Sequence, residues 1–321
     1  MKNKPLEPIK FNFYKLDILP LKENGDLRAK DLLDKIISVC SPNKNGNKGY
    51  LIDRFESRIG VDRRELFINY ITYNHLQKRY KGSICLLRRG KTPMVKPLES
   101  YSLIPLESLN LGSLAETTHF FIDVSSTKII LCFEYNYYGP RISDLEYYFR
   151  NIGKDNLGIT KKTSITFFLD RPFEEVLDNI KELNSFDIKI EPKKIAQIEK
   201  KIVNSYFTSL NSIGSLFSPK YLSFKAYYQT PGASIRTDSS KAKSMVEKLI
   251  KSFRSGHTDL ESFDSFTIEF INQNDEPDKL NLIKNQKSFT IEVNMDEIRS
   301  HNDWYILIEN EFNKFIEQQN G

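Results

Sequence analysis

The chain has 321 residues, of which 39% are hydrophobic, and a net charge of +5 at neutral pH. This length suffices for two domains with packed cores. No apolar run reaches the ~18 residues of a membrane span, and the first residues lack the apolar stretch of a signal peptide. Cys40, Cys85 and Cys132 lie far apart without CxxC spacing, so we expect buried, reduced thiols and a cytoplasmic protein.

Residues 1–117 predict an N-terminal α+β region. A partly alternating strand, IKFNFYKLDIL, precedes a helix in which Leu32, Leu33, Ile36 and Ile37 share one apolar stripe. Two further runs, LFINYITYNH and GSICLLRRGKTPMV, are typical of strands. The second of these carries a basic turn formed by Arg88, Arg89 and Lys91.

Residues 118–218 predict a central α/β region. HFFIDV and KIILCFEYNYY form a predicted hairpin, followed by the helix ISDLEYYFRNIG with Ser143 as its N-cap and Gly153 as its C-cap. Alternation puts Phe133, Tyr135 and Tyr137 on one strand face, so we expect them to pack against this helix rather than stack on bases. A polar loop containing Lys161 and Lys162 then leads to two more strands.

Residues 219–321 predict a C-terminal β-α-β-β-α region, in which SFTIEFIN and SFTIEVN are hairpin strands joined by a long loop. The predicted class is therefore α+β, with mixed or antiparallel sheets and packed helices in two domains. The regions are 1–117, 118–218 and 219–321, and an alternative division joins 1–218 into one domain.

Enzymatic chemistry receives little support from the sequence. The four histidines lie at least ~44 residues apart, which is not a local metal-binding spacing, and no nucleotide-binding or hydrolase motif occurs. One alternative is a metal-dependent nuclease using Asp170, Glu191 and Lys193. A simpler interpretation is that Pro192 begins a helix and Glu191 favours its positive end. We therefore predict no catalytic residue, metal or cofactor.

Lysine-rich helix faces are the best candidates for a binding surface. After Pro192, Ile195, Ile198, Ile202 and Tyr206 form a predicted core stripe, and lysines occupy the opposite face. In a later helix Ala242, Met245, Val246, Leu249, Ile250 and Phe253 are expected to point inward. Such lysines bind phosphates without recognising bases, and the alternative is an ordinary solvated face. The residues predicted to contact nucleic acid are Lys193, Lys194, Lys200, Lys201, Arg88, Arg89, Lys91, Lys161, Lys162, Lys241, Lys248 and Lys251.

Two stretches carry a family resemblance that covers roughly Phe120 to Phe207. YGPRISDLEYYFRNIG resembles a segment of the RexA-type phage-exclusion sensor proteins, where an apolar strand also runs into a Gly-Pro turn, a Ser-Asp-Leu helix start and an aromatic helix ending in Gly. FDIKIEPKKIAQIEKKI is similar to that family's strand, proline and lysine-rich helix. The likeness weakens in the C-terminal third and does not extend before Thr118.

The resemblance implies a cytoplasmic antiphage protein that binds DNA with little sequence preference, forms a homodimer and signals to a membrane or other effector partner. It matches the family's basic helix at Lys193, Lys194, Lys200 and Lys201. With the charge placement, it makes DNA binding through the phosphate backbone the leading hypothesis, without enzymatic activity. The alternatives are the nuclease and a protein-interaction subunit whose acidic loop, around Asp275 to Asp278, faces a partner.

Overall fold

A computed structural model describes residues 6–42, 49–57, 63–87, 94–95, 104–105, 114–169, 171, 173–198, 200–229, 237–254 and 263–320. The chain divides into two compact units. Unit 1 comprises Met1–Ile165 and Ser288–Gly321, and unit 2 comprises Thr166–Lys287. Helices combine with antiparallel sheets, which confirms the α+β class.

The described strands and helices are numbered in chain order. The strands are β1 (Glu7–Pro20), β2 (Ile52–Asp53), β3 (Glu65–Asn74), β4 (Arg79–Leu87), β5 (Met94–Val95), β6 (Ile104–Pro105), β7 (Ala115–Asp123), β8 (Ile129–Glu134), β9 (Thr160–Phe167), β10 (Glu182–Ile190), β11 (Leu222–Tyr227), β12 (Phe263–Ile271), β13 (Pro277–Asn281) and β14 (Ser288–Val293). The helices are α1 (Ala29–Cys40), α2 (Ile142–Arg150), α3 (Phe173–Asn179), α4 (Lys200–Ile202), α5 (Thr208–Phe217), α6 (Ser240–Arg254) and α7 (His301–Asn320). Among the described residues, no helix combines the length and the apolarity needed to cross a membrane.

Unit 1 is built on one eight-stranded sheet with helices on both faces. The strand order is β14-β1-β8-β7-β4-β3-β2, and β9 also pairs with β1. Successive residues of a strand point to opposite faces: Phe120 of β7 contacts Phe149 of α2, whereas Phe121 contacts Tyr305 of α7. On α1 the predicted stripe, Leu32, Leu33, Ile36 and Ile37, is buried, which confirms that helix and its inward face.

The predicted hairpin of β7 and β8 is confirmed, but the helix after it is capped differently. Helix α2 begins at Ile142, so Ser143 lies inside it, and the Asp144 carboxylate accepts the Arg141 N–H instead, at 2.8 Å. Gly153 does not end the helix, which continues as a π-helix over Asn151–Asn156. A Cβ on Gly153 would lie 2.8 Å from Thr160 Oγ1, so this glycine permits close packing rather than a cap.

Buried Asp144 ties α2 to the segment around β2. Arg54 Nη1 lies 2.6 Å from its Oδ1, and Arg64 Nη2 lies 2.5 Å from its Oδ2. Burial alone would raise the pKa of this carboxyl, but the hydrogen bond and charge of Arg64, with the charge of Arg54, lower the pKa below its ordinary value. The first turn of α2 is thus part of a buried ion-pair network that joins it to Arg54 and Arg64.

Unit 2 is a four-stranded antiparallel sheet in the order β11-β10-β12-β13. One face is apolar, and α6 packs on it through Phe253, which contacts Phe263 and Phe266. The six α6 residues predicted to point inward are all buried, which confirms that helix: Ala242, Met245, Val246, Leu249, Ile250 and Phe253.

The predicted C-terminal hairpin is wrong. β12 belongs to unit 2, whereas β14 pairs with β1 in unit 1, and the stretch between them contains β13, which pairs with β12. Phe289 of β14 stacks on Phe11 of β1, with ring centroids 5.5 Å apart, and this packing draws β14 into unit 1. The predicted divisions at 117/118 and 218/219 accordingly fall inside unit 1 and unit 2 respectively.

Candidate nucleic-acid interface

The lysine-rich segment after Glu191 is not one continuous helix. A 3-10 helix over Pro192–Gln197 ends at Ile198, whose backbone is extended (ψ 146°), and the chain then forms α4 and a π-helix over Val203–Phe207. The prediction that Lys193 and Lys200 share one helix face is therefore wrong, because the break at Ile198 separates them.

The core stripe of this segment survives the break. Ile195, Ile198 and Ile202 are buried as predicted, since a 3-10 helix and an α-helix each present one apolar side to the same core. Tyr206, the fourth predicted member, is half-buried instead. Its hydroxyl accepts a hydrogen bond from Lys248 Nζ at 3.3 Å, so it links this segment to α6.

A stripe of lysines runs along α6 beside Tyr206. Lys241, Lys248 and Lys251 are exposed, and their spacings of seven and three residues put them on one side of the helix. Lys248 Nζ also lies 5.3 Å from the centre of the Tyr206 ring. Hydrogen bonds from Ser244 and Lys248 lower the pKa of the Tyr206 phenol. Exposed Lys200 is part of α4, which packs against α6, so the structure brings it to the same layer.

The lysines of unit 2 fall into two groups by their partners. On the polar face of the sheet, Lys189 pairs with Asp264 at 2.7 Å, and Lys279 with Glu269 at 2.8 Å. Lys225 lies 3.9 Å from Asp187 on the same face.

The helical layer differs. Within the described part of the chain, no salt bridge joins a carboxylate to Lys193, Lys200, Lys241, Lys248 or Lys251. Lys194 does have a partner, because Glu191 lies 3.6 Å away. We call Lys200, Lys241, Lys248 and Lys251, with Tyr206, the lysine stripe. Among the residues that the structure describes, none of these four lysines has a carboxylate within salt-bridge distance.

The remaining predicted basic residues are placed elsewhere. Lys161 and Lys162 belong to unit 1 and lie in β9, not in a loop, because pairing with β1 extends that strand. Lys161 is exposed and Lys162 half-buried. Arg88, Arg89 and Lys91 lie outside the described residues, as does the side chain of Lys201.

The two alternative functions gain no site from the structure. Asp170 of the nuclease hypothesis lies outside the described residues, and Glu191 is engaged with Lys194. No group of three or more acidic, histidine or cysteine side chains suited to a metal occurs in the part that is described. In the acidic loop, Asp275 pairs with Lys181 at 2.6 Å and Asp278 with Arg171 at 2.5 Å. Both acids are therefore paired with basic residues of unit 2, and the side chain of Asp275 remains 72% exposed.

The cysteines are buried and free, as predicted. Burial raises the pKa of Cys40 to about 12 and that of Cys132 well above its ordinary value. Neither thiol is a nucleophile at neutral pH.

Sequence reasoning missed a histidine cluster under α7. His119 Nδ1 lies 2.7 Å from Glu134 Oε2, and its ring stacks on Trp304 at 4.6 Å. His301 stacks on Tyr70 at 4.1 Å. The two histidines are 182 positions apart by their numbers, so no local spacing announces the cluster. Its contacts hold α7 on the sheet.

Sequence reasoning also misplaced the tyrosines after β8. Tyr135, Tyr137 and Tyr138 are 53%, 66% and 68% exposed, so the expected packing of Tyr135 and Tyr137 against α2 is wrong. The strand ends at Glu134, and alternation beyond that point assigned faces to residues that lie in a turn.

Models of known protein families give no match to the sequence, and curated proteins give none either. The lysine stripe, the histidine cluster and the exposed tyrosines are the features on which a function must be argued.

Proposed function

We propose that the protein binds nucleic acid, DNA above all, through its phosphate backbone, and that the lysine stripe of unit 2 makes the contact. The observation that carries the proposal is that, in the described part of the chain, no carboxylate forms a salt bridge with Lys200, Lys241, Lys248 or Lys251, which lie in the same layer as Tyr206. Neighbouring lysines on the sheet's polar face have such partners. A row of uncompensated ammonium groups attracts a polyanion and releases its counterions.

The chemistry of the stripe favours contact without strong sequence preference. Lysine ammonium groups neutralise phosphates as point charges, whereas base recognition relies on planar, bidentate groups such as arginine or amide side chains. Lys193 is exposed on the 3-10 helix over Pro192–Gln197, which packs against the π-helix containing Tyr206.

We further propose a biological setting of antiphage defence, in which a cytoplasmic sensor that resembles the RexA-type exclusion proteins signals to a membrane or other effector partner. The support is the sequence resemblance between Phe120 and Phe207 and the three free, buried thiols.

We also propose that the protein is a homodimer, joined at β11. Among the described strands it pairs with β10 alone. All exposed large apolar side chains in the described part of unit 2 lie close to it in sequence: Ile213, Leu216, Phe217, Phe224 and Tyr227. An unpaired edge next to exposed apolar groups favours antiparallel pairing with a second copy.

The salt dependence of DNA binding tests the phosphate contact. Lys241, Lys248 and Lys251 are replaced together by Gln, which keeps most of each stem and removes the charge. The matched control replaces Lys189, Lys225 and Lys279, which removes the same charge from the same unit. Binding of a duplex oligonucleotide is measured by fluorescence anisotropy across a salt series. The slope of log K against log salt should flatten by up to ~2.7 in the stripe variant, about 0.9 per phosphate contact.

The control triple should change that slope much less, because its lysines are already paired. Equal changes in both triples would show that net charge, rather than the stripe, governs binding. Absence of duplex binding at low salt would refute the proposed function.

A further inference from the structure

The turn after β8 exposes three tyrosines on an ordered backbone. Asn136 organises it: its Oδ1 accepts the N–H groups of Tyr138 and Gly139, each at 3.1 Å, and its Nδ2 donates to the Thr117 carbonyl at 2.9 Å. The Tyr135 N–H donates to the Lys10 carbonyl at 2.8 Å. The turn is thereby fixed to both strands that flank β8.

Gly139 allows the turn to lie close to β7. A Cβ at this position would come within 2.5 Å of Thr118 Oγ1, a contact that any other residue would have to relieve by moving the backbone. The side chain of Thr118 in turn donates to the Pro140 carbonyl at 3.1 Å. The backbone that carries the tyrosines is thus fixed to β7 through Thr118.

The rings themselves are uncovered within the described part of the chain. Tyr137 and Tyr138 contact each other edge to face, with centroids 5.0 Å apart, and each remains about two-thirds exposed. Such exposure of adjacent large rings has no role in the packing of unit 1. Because the backbone of the turn is already ordered, a ligand that stacks on the tyrosine rings loses little of its binding free energy to ordering the protein.

Two basic residues are near the tyrosines in the chain or in the sheet. Arg141 follows Tyr138 by three residues and is exposed, and Lys10 lies beside Tyr135 on β1. No salt bridge to either side chain occurs among the residues that are described. Proteins bind unpaired nucleic acid with exposed aromatic rings, on which bases stack, combined with basic residues, which contact phosphates.

We propose that Tyr137 and Tyr138, with Tyr135, form a stacking site for unpaired bases of a single strand. This inference rests on the proposed function and extends it. The lysine stripe contacts phosphates of any nucleic acid, whereas the turn that carries Tyr135, Tyr137 and Tyr138 favours single-stranded segments. The preference arises because paired bases are already stacked and their faces are not available to a ring.

Binding of the full-length protein to oligo-dT, oligo-U and a duplex of equal length tests the site. Tyr137→Ala and Tyr138→Ala should each weaken oligo-dT binding, by about 5- to 150-fold where a ring stacks on a base. Tyr137→Phe should bind like the wild type, because the ring is kept. The oligo-U arm distinguishes RNA from DNA as the source of the unpaired bases. Leu76→Ala is the control, because this side chain is the most exposed large apolar one in the described part of unit 1 (96% exposed).

The outcomes separate the inference from the proposed function. Unchanged oligo-dT affinity in both alanine variants, with normal duplex binding, overturns the stacking site and leaves the lysine stripe intact. Tyr137→Phe as weak as Tyr137→Ala also overturns it, because the hydroxyl rather than the ring would then make the contact. A wild-type protein that binds none of the three ligands refutes the proposed function itself. Loss of oligo-dT binding with unchanged duplex binding supports both.

Discussion

His301 is a neutral, stacked residue at the start of the helix that completes unit 1. Burial and the nearby charge of His119 lower its pKa, and its Nδ1 has no hydrogen-bond partner among the described residues. In the unfolded chain it titrates near pH 6.5. Below that pH the unfolded state binds the proton more readily than the folded state does, so the stability that neutral His301 contributes is lost as the pH falls.

We therefore predict that His301→Phe reduces the acid sensitivity of unit 1. Phenylalanine can stack on Tyr70 and takes no proton. The melting temperature of the wild-type protein should fall between pH 7.5 and 5.5, and that of the variant should fall less. The difference should be about 2–4 °C for each kcal/mol of unfolding free energy that protonation of His301 removes. The fluorescence of Trp304, the single tryptophan, reports the transition in unit 1.

His75→Gln is the matched control, because His75 belongs to the same unit but is exposed. An equal loss of melting temperature in wild type and His301→Phe would show that another group sets the acid sensitivity.

Individual residues were predictable from sequence where a periodic element placed them. The α6 positions from Ala242 to Phe253 follow the helical period, and all six are buried. Tyr137 was misplaced because β8 ends at Glu134, before this residue. Ser143 was misplaced because the N-terminal end of α2 depends on groups remote in sequence. Asp144 is held by Arg54 and Arg64, and no local pattern encodes such a contact.

Among the elements, β11 is an edge strand of the unit 2 sheet. The N–H of Tyr228, the residue after β11, donates to the Asn184 carbonyl of β10. Because N–H groups alternate in direction along a strand, those of Ser223, Lys225 and Tyr227 point away from β10. In a dimer with Phe224 on the two-fold axis, Ser223 of one copy lies opposite Lys225 of the other. A dimer centred on Lys225 would instead put like charges opposite each other.

Lys225→Pro should convert the homodimer to a monomer. Proline removes one outward N–H and leaves the bonds to β10 intact, as it does on edge strands. Lys225→Ala keeps the N–H and should remain dimeric. Light scattering coupled to size exclusion, at equal protein concentrations, distinguishes the two states. A dimeric proline variant would place the interface elsewhere, and a monomeric wild type would refute the dimer.

Strands and helices were mostly foreseen, whereas their partners were not. SFTIEFIN and SFTIEVN are almost the same sequence and were paired as a hairpin, yet they lie in different sheets as β12 and β14. Local propensity determines that each is a strand but not which neighbour it joins. The lysine-rich segment was likewise predicted from periodicity to be one helix. The extended backbone at Ile198 interrupts that helix, and no proline or glycine stands there to indicate the break.

At the scale of the whole molecule, the two units have separate cores. Phe312 of α7 is fully buried in unit 1, and Phe266 of β12 is fully buried in unit 2. We predict two unfolding transitions in scanning calorimetry. Phe312→Ala should lower the melting temperature of unit 1, and Phe266→Ala that of unit 2. Each truncation lowers the free energy of unfolding of its own unit by about 3–5 kcal/mol.

The fluorescence of Trp304 assigns the unit 1 transition, because this residue stacks on His119 in the same core. A single transition that both variants lower would show that the units unfold together. Unchanged calorimetry in either variant would contradict the packing of that phenylalanine.

The path of the chain through the two units affects the order in which they form during translation. The chain leaves unit 1 at Ile165 and returns at Ser288, and only then supplies β14 and α7. Making the intervening unit 2 takes a ribosome roughly 6–25 s at ~5–20 residues per second. Throughout that time the β1 edge, which β14 later covers, has no partner there. An uncovered strand edge is a site for pairing with other chains, so the nascent protein is most exposed to aggregation during this interval.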